Sequence, residues 1–136
     1  MTPITRFSLA KHTGPYEQWP SRTRLFCDSI ETATDVPGYC LLHQYQLRDG
    51  YLLVTDCDCP YEEETIFVLL DAECRLIAYL PFIPFYYSSF NLDRVEWVDE
   101  TNLIATFEGY APWRITIRPW GIPYLRSRLV AKRLRT

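Results

Sequence analysis

The chain has 136 residues, 14 basic and 17 acidic side chains, a formal net charge of −3, and 48% hydrophobic residues. That apolar content excludes a disordered chain, and the length allows one domain whose core needs no disulfides. No stretch approaches the roughly 18 unbroken apolar residues of a membrane-spanning helix, and with only five glycines no phosphate-cradling loop is visible.

The N-terminus, Met1-Thr2-Pro3-Ile4-Thr5-Arg6, lacks an apolar signal region. Ile4–Leu9 alternates weakly and predicts a first, edge strand. Thr13-Gly14-Pro15 through Trp19-Pro20 is loop by its Gly and Pro. Arg24–Ile30 reads as a strand, with a helical turn through Ser29–Ala33 as the alternative, ended by Val36-Pro37-Gly38.

From Tyr39 onward the strand pattern is stronger. Strands are expected at Cys40–Leu47, Tyr51–Asp56, Thr65–Leu70, Arg75–Pro81, Leu92–Val98, Leu103–Glu108 and Trp113–Arg118. A hairpin signature recurs. Phe67-Val68-Leu69-Leu70-Asp71, a polar turn and Leu76-Ile77-Ala78 match Val95-Glu96-Trp97-Val98-Asp99, a polar turn and Leu103-Ile104-Ala105. A looser copy surrounds Asp49-Gly50. An Asp between two apolar runs signals a hairpin, so turns are expected at Asp49-Gly50, Ala72-Glu73-Cys74 and Glu100-Thr101-Asn102, with Gly50 at positive φ. The segment after Pro119 fits a strand or a short helix.

The expected fold is all-β: a single-domain antiparallel hairpin meander forming a sandwich or half-barrel, with at most one short helix. Residues 39–118 form its core meander, and the basic segment 119–136 packs on the body. The spacing from Asp49 to Asp71 to Asp99 drifts, which argues against a regular propeller or solenoid.

Charge is unevenly placed. Seven basic and no acidic side chains follow Pro112, while seven basic and all 17 acidic ones precede Trp113, leaving the body at −10. An acidic body repels nucleic acid and attracts basic partners. The tail interleaves Trp113, Trp120 and Tyr124 with arginines, a pattern that also binds single strands by stacking. The simpler account folds it onto the chain's own acidic face, pinned by Trp120 and Tyr124.

The densest acidic cluster is Asp56, Asp58, Glu62, Glu63 and Glu64, five carboxylates within nine residues. It reads either as a solvated turn that keeps sheet edges apart or as a docking surface for a basic partner. The loop Pro81–Phe90 packs five aromatic residues around two prolines. Tyr86 and Tyr87 are its candidate interface anchors, and its phenylalanines are candidate core.

Cys27, Cys40, Cys57, Cys59 and Cys74 are odd in number and irregular in spacing. Cys57 and Cys59 lack zinc-site spacing and a second pair. Free thiols, no metal and a cytoplasmic location are therefore expected. No cofactor motif is present. His12 and His43 are the only histidines, and neither sits in a nucleophile motif.

These features predict a non-catalytic protein-binding domain, monomeric or a small homo-oligomer, that uses neither nucleic acid nor membrane. Its most concrete form is a toxin-neutralising immunity protein that occludes a basic partner with an acidic and aromatic surface. The alternatives are a small-ligand-binding β-barrel or sandwich and a hydrolase using His43 and carboxylates.

Overall fold

The computed structural model describes residues 2–15, 18–58, 63–82, 92–107, 112–118 and 128–134, with the backbone alone at Cys57, Asp58, Glu63, Glu64 and Phe82. These residues form strands and no α-helix. The strands are β1 (Thr2–Pro3), β2 (Phe7–Leu9), β3 (Arg22–Cys27), β4 (Ile30–Pro37), β5 (Cys40–Gln46) and β6 (Gly50–Asp58). They continue as β7 (Glu63–Asp71), β8 (Leu76–Phe82), β9 (Leu92–Trp97), β10 (Asn102–Phe107), β11 (Trp113–Ile117) and β12 (Leu129–Arg133). All pairings are antiparallel, in three sheets ordered β2-β3-β4, β1-β5-β6-β7-β8 and β12-β11-β10-β9. Each sheet is a meander of neighbours in sequence, and only β1 is displaced, onto the edge of the five-stranded sheet.

The five-stranded sheet is the middle of three layers. Its strands β6 and β7 carry unbroken buried runs, Tyr51–Thr55 and Thr65–Leu70. Alternation sends successive side chains to opposite faces. Leu52, Val54, Phe67 and Leu69 pack with Leu103, Ala105, Phe107, Ile115, Ile117 and Leu129 of the four-stranded sheet. Tyr51, Leu53, Ile66, Val68 and Leu70 pack with Phe7, Leu25 and Val36 of the three-stranded sheet. A strand buried on both faces loses its polar alternation, which is why these runs read as continuously apolar.

Two turns share one device. Asp71 Oδ1 accepts from the amides of Glu73 at 2.9 Å and Arg75 at 2.8 Å. Asp99 Oδ1 accepts from the Thr101 amide at 2.9 Å and from the Asn102 side chain. These side-chain-capped turns are what the repeated Asp encodes.

The remaining turns depart from expectation in instructive ways. The β5–β6 turn centres on Arg48-Asp49, closed by the Leu47 amide on the Gly50 carbonyl at 2.8 Å. Gly50 is not at positive φ. It is glycine because a Cβ there would lie 2.1 Å from the Leu70 carbonyl oxygen. No helical turn forms at Ser29–Ala33. Asp28 and Ser29 instead take φ of 51° and 65°, the two left-handed residues of a type I′ turn between β3 and β4. The C-terminal segment contributes a strand, β12, with Leu129 buried in the core.

Gly50→Ala is expected to destabilise by about 1–3 kcal/mol, because the strands must part to admit the methyl group. Urea denaturation measures this, and an unchanged midpoint would show that the close approach is dispensable.

The two turn carboxylates also set an acid limb. The Arg75 amide is the chief group holding Asp71 below the usual carboxylate range, and the Asn102 side chain does the same for Asp99. Their contribution is complete above the unfolded value of about 3.9 and is lost as pH falls through the lower folded values. Stability measured across that acid range should therefore fall less steeply in Asp71→Asn, Asp99→Asn protein than in the parent chain.

Candidate functional site

The chain crosses from the three-stranded to the central sheet at Val36-Pro37-Gly38, between β4 and β5. Gly38 has φ of 101°, and a Cβ there would meet Thr55 Oγ1 at 2.3 Å, so only glycine fits. Two hydroxyls clamp the crossing. Thr55 Oγ1 donates to the Pro37 carbonyl at 2.9 Å, and Thr23 Oγ1 donates to the Gly38 carbonyl at 2.7 Å. Thr23 and Thr55 are both fully buried, and each spends its hydroxyl proton on a carbonyl of the crossing.

This crossing aims Tyr39 at a ring cluster. Gly14, at φ of 83°, turns the preceding loop, and Trp19 Nε1 donates back to the Gly14 carbonyl at 3.2 Å. The rings of His12, Trp19 and Tyr39 then sit with pairwise centroid distances of 5.1 Å, and Tyr39 is edge-on to both others. Tyr39 Oη donates to the Pro20 carbonyl at 2.7 Å. Edge-to-face stacking of this kind adds to burial and holds the rings in place.

The tautomer of His12 follows from its partner. Thr23 gives its single proton to Gly38, so it accepts from His12 Nε2 at 2.9 Å. In the neutral ring, Nδ1 is left as the acceptor.

These rings wall an open cleft of about 540 Å³ with Phe7, Leu9, Leu41 and Gln44. It lies where the edges of the two sheets part. At its inner end the Gln44 side chain bridges them, accepting from the Phe7 amide at 2.7 Å and donating to the Phe7 carbonyl at 3.1 Å. The amide of Ile4 donates to the Gln44 carbonyl at 3.1 Å. Strand β1 pairs only with Tyr45 and Gln46, so among the described residues no strand covers the outer edge of β5 at Leu42 and His43.

The acidic cluster falls at this same end of the central sheet. The Tyr39 amide donates to the Asp56 carbonyl at 2.7 Å. The register pairs Asp56 with Cys40 and Thr65, Cys57 with Glu64, and Asp58 with Glu63. Four of the five acids thus stand on two neighbouring strands at one hairpin end. Glu62, Tyr86 and Tyr87 lie outside the described residues, as do Trp120 and Tyr124. The ring cluster was not foreseen in the sequence, where its three members sit in separate segments and only the Gly and Pro around Trp19 mark a bend.

His43 pairs with Val54 in register and stacks on Tyr45 at 6.1 Å. Burial lowers its pKa. No group of three or more His, Cys, Asp or Glu among the described residues is placed to hold a metal. Among those residues, too, no helix is long and apolar enough to cross a membrane. A second cleft, of about 210 Å³, opens at the opposite end of β6, with Leu69 and Ile117 at its base and Arg48, Asp49, Glu100 and Arg128 at its rim. Charges of both signs share that rim.

No protein-family model matches this chain, and comparisons with curated proteins and with solved structures return no match.

Thr23→Val removes the hydroxyl on which both His12 and the Gly38 carbonyl depend. The expected cost is about 1–3 kcal/mol, together with loss of the fixed His12 tautomer. Denaturation and nitrogen NMR of the imidazole read the two effects separately, and an unperturbed His12 ring would refute the clamp.

Proposed function

We propose that this chain is a non-catalytic binding domain for a basic protein partner, acting by occlusion. The observation that carries the reading is the placing of an aromatic cleft beside an acidic hairpin end, at one end of the central sheet. Fixed Trp and Tyr rings are effective interface anchors because they bring large apolar area at little entropic cost. Neighbouring carboxylates speed the approach of a basic partner and set its orientation. The outer edge of β5 beside the cleft offers main-chain groups to an extended segment of that partner. A toxin-neutralising immunity protein is the most concrete role of this kind, since neutralisation by occlusion needs a complementary surface and no chemistry. Trp19 and Tyr39 join Asp56, Asp58, Glu63 and Glu64 as the proposed recognition residues. A cytoplasmic location fits the reduced cysteines expected for such a protein.

A second reading, a small planar ligand held in the same cleft, is favoured by its volume, which lies within the usual range for ligand sites.

The test compares parent and Tyr39→Ala proteins, after circular dichroism shows that both fold. Each is used as bait in extract of the native host, and the captured protein is then purified for binding kinetics. A basic protein that binds the parent, associates more slowly as salt rises and dissociates at least tenfold faster from Tyr39→Ala supports the proposal. A small-molecule mass retained in native mass spectrometry and lost in Tyr39→Ala would favour the second reading instead. Equal kinetics for the two proteins would remove the cleft from the site.

A further inference from the structure

The opposite end of the three-stranded sheet holds a group of polar and sulfur side chains that the binding reading does not use. Arg6 is its centre. Its Nη1 donates to Tyr51 Oη at 2.7 Å, its Nη2 to Cys27 Sγ at 3.4 Å, and its Nε and Nη2 to Asp28 Oδ2 at 3.3 and 3.1 Å. Cys27 Sγ itself donates to Asp28 Oδ2 at 3.8 Å. Cys74 joins from the central sheet. It and Cys27 are both free, half-buried and packed on the same core cluster. Thr34 Oγ1 of β4 donates to the Cys74 carbonyl at 2.6 Å, fastening the β7–β8 turn to the sheet that carries Cys27.

The backbone at Cys74 is unusual. Cys74 has φ of 64°, in the left-handed position that closes a three-residue hairpin and ordinarily takes glycine or asparagine. Cys27 directly precedes the two left-handed residues Asp28 and Ser29. At Cys74 a side chain in the left-handed region is strained. A local rule broken at one position marks it as a candidate functional position, and here the residue that breaks it is a thiol on the same core cluster as Cys27.

We propose that Cys27 and Cys74 form a hydroperoxide-reactive dithiol that closes to a disulfide joining the three-stranded sheet to the central sheet. The guanidinium of Arg6 lies within hydrogen-bond reach of the Cys27 sulfur, while Asp28 accepts from the same thiol and so offers a first acceptor for its proton. The Cys74 thiol is pushed up, chiefly by burial and then by Cys27. Cys27, which Arg6 Nη2 reaches at 3.4 Å, is the attacking sulfur, and Cys74, on the β7–β8 turn, is the resolving one. In the first step Cys27 sulfur attacks one oxygen of the hydroperoxide. The S–O bond forms, the O–O bond breaks, and the departing alkoxide takes the thiol proton, leaving a sulfenic acid and an alcohol, or water from hydrogen peroxide. In the second step Cys74 sulfur attacks Cys27 sulfur. The S–S bond forms, the S–O bond breaks, and the departing hydroxide takes the Cys74 proton as water. The two thiols lose two electrons and the hydroperoxide gains them.

The experiment treats the intact protein with hydrogen peroxide, blocks remaining thiols and maps peptides by mass spectrometry without reduction. The expected product is a Cys27–Cys74 cross-linked peptide, lost on adding dithiothreitol, with a higher melting temperature before reduction. In Cys74→Gly the cross-link should be absent and a dimedone adduct of the sulfenic acid should appear on Cys27. That variant suits the left-handed φ, so it separates the chemistry from failure to fold. Full alkylation of both thiols after peroxide, or a cross-link that persists in Cys74→Gly through another cysteine, would overturn the proposal.

Discussion

The fold depends on one strand pair, β6 and β7, buried on both faces. Phe67 and Leu69 face one outer sheet while Val68 and Leu70 face the other. A one-residue slip in this register would exchange the two faces along the whole pair. Gly50 limits such slippage, because only a residue without a Cβ lets β6 begin against the Leu70 carbonyl. The outer sheets are each complete meanders, yet neither buries its inner face without this pair. Stability is therefore shared across three layers rather than lodged in one sandwich core.

How the layers are joined explains where the polar side chains went. Thr23 and Thr55 are buried, and both serve the Pro37-Gly38 crossing. Gln44 replaces a strand-to-strand ladder with a side-chain rung between β2 and β5. Each fastener satisfies main-chain groups that the parting of the sheets would leave without partners. The aromatic cleft is a consequence: beyond the Gln44 rung the sheets diverge, and His12, Trp19 and Tyr39 occupy the opening.

Much of the strand pattern is legible in the sequence because it is local. The matched Asp71 and Asp99 segments announce two turns through a chemistry that works over four residues, and the runs at Tyr51 and Thr65 announce burial. The β3–β4 turn is less legible, because Asp28-Ser29 reaches a type I′ turn without the usual glycine. Helical and extended readings therefore compete for the chain that follows. Gly50 is legible as glycine but not for its reason, which depends on a carbonyl 20 residues away in sequence. The ring cluster and the Cys27, Cys74 and Arg6 group are illegible for that same cause, since each is assembled from segments that only the sheet crossings bring together. Arg114, Arg118, Arg128, Lys132 and Arg133 form no ion pair among the described residues. Strand β12 is held by its ladder to β11 and by Leu129 in the core, a stronger tether than exposed ion pairs supply.

The ring cluster and the dithiol lie toward opposite ends of β3, with Thr23 at one end and Cys27 at the other, while Phe7 of the cleft wall pairs with Cys27. A signal between them would have to travel along β2 or β3. Phe7 carries the first route, paired with Cys27 in register and held to Gln44 through both its amide and its carbonyl while its ring packs edge-on to Tyr51 at 4.9 Å. Leu25 interrupts the second, fully buried between Thr23 and Cys27. Closely packed cores of this kind move between discrete arrangements and do not bend continuously. A bond formed at Cys27 would therefore bear on the cleft through Phe7, the residue that pairs with Cys27 and carries the Gln44 rung at the cleft's inner end.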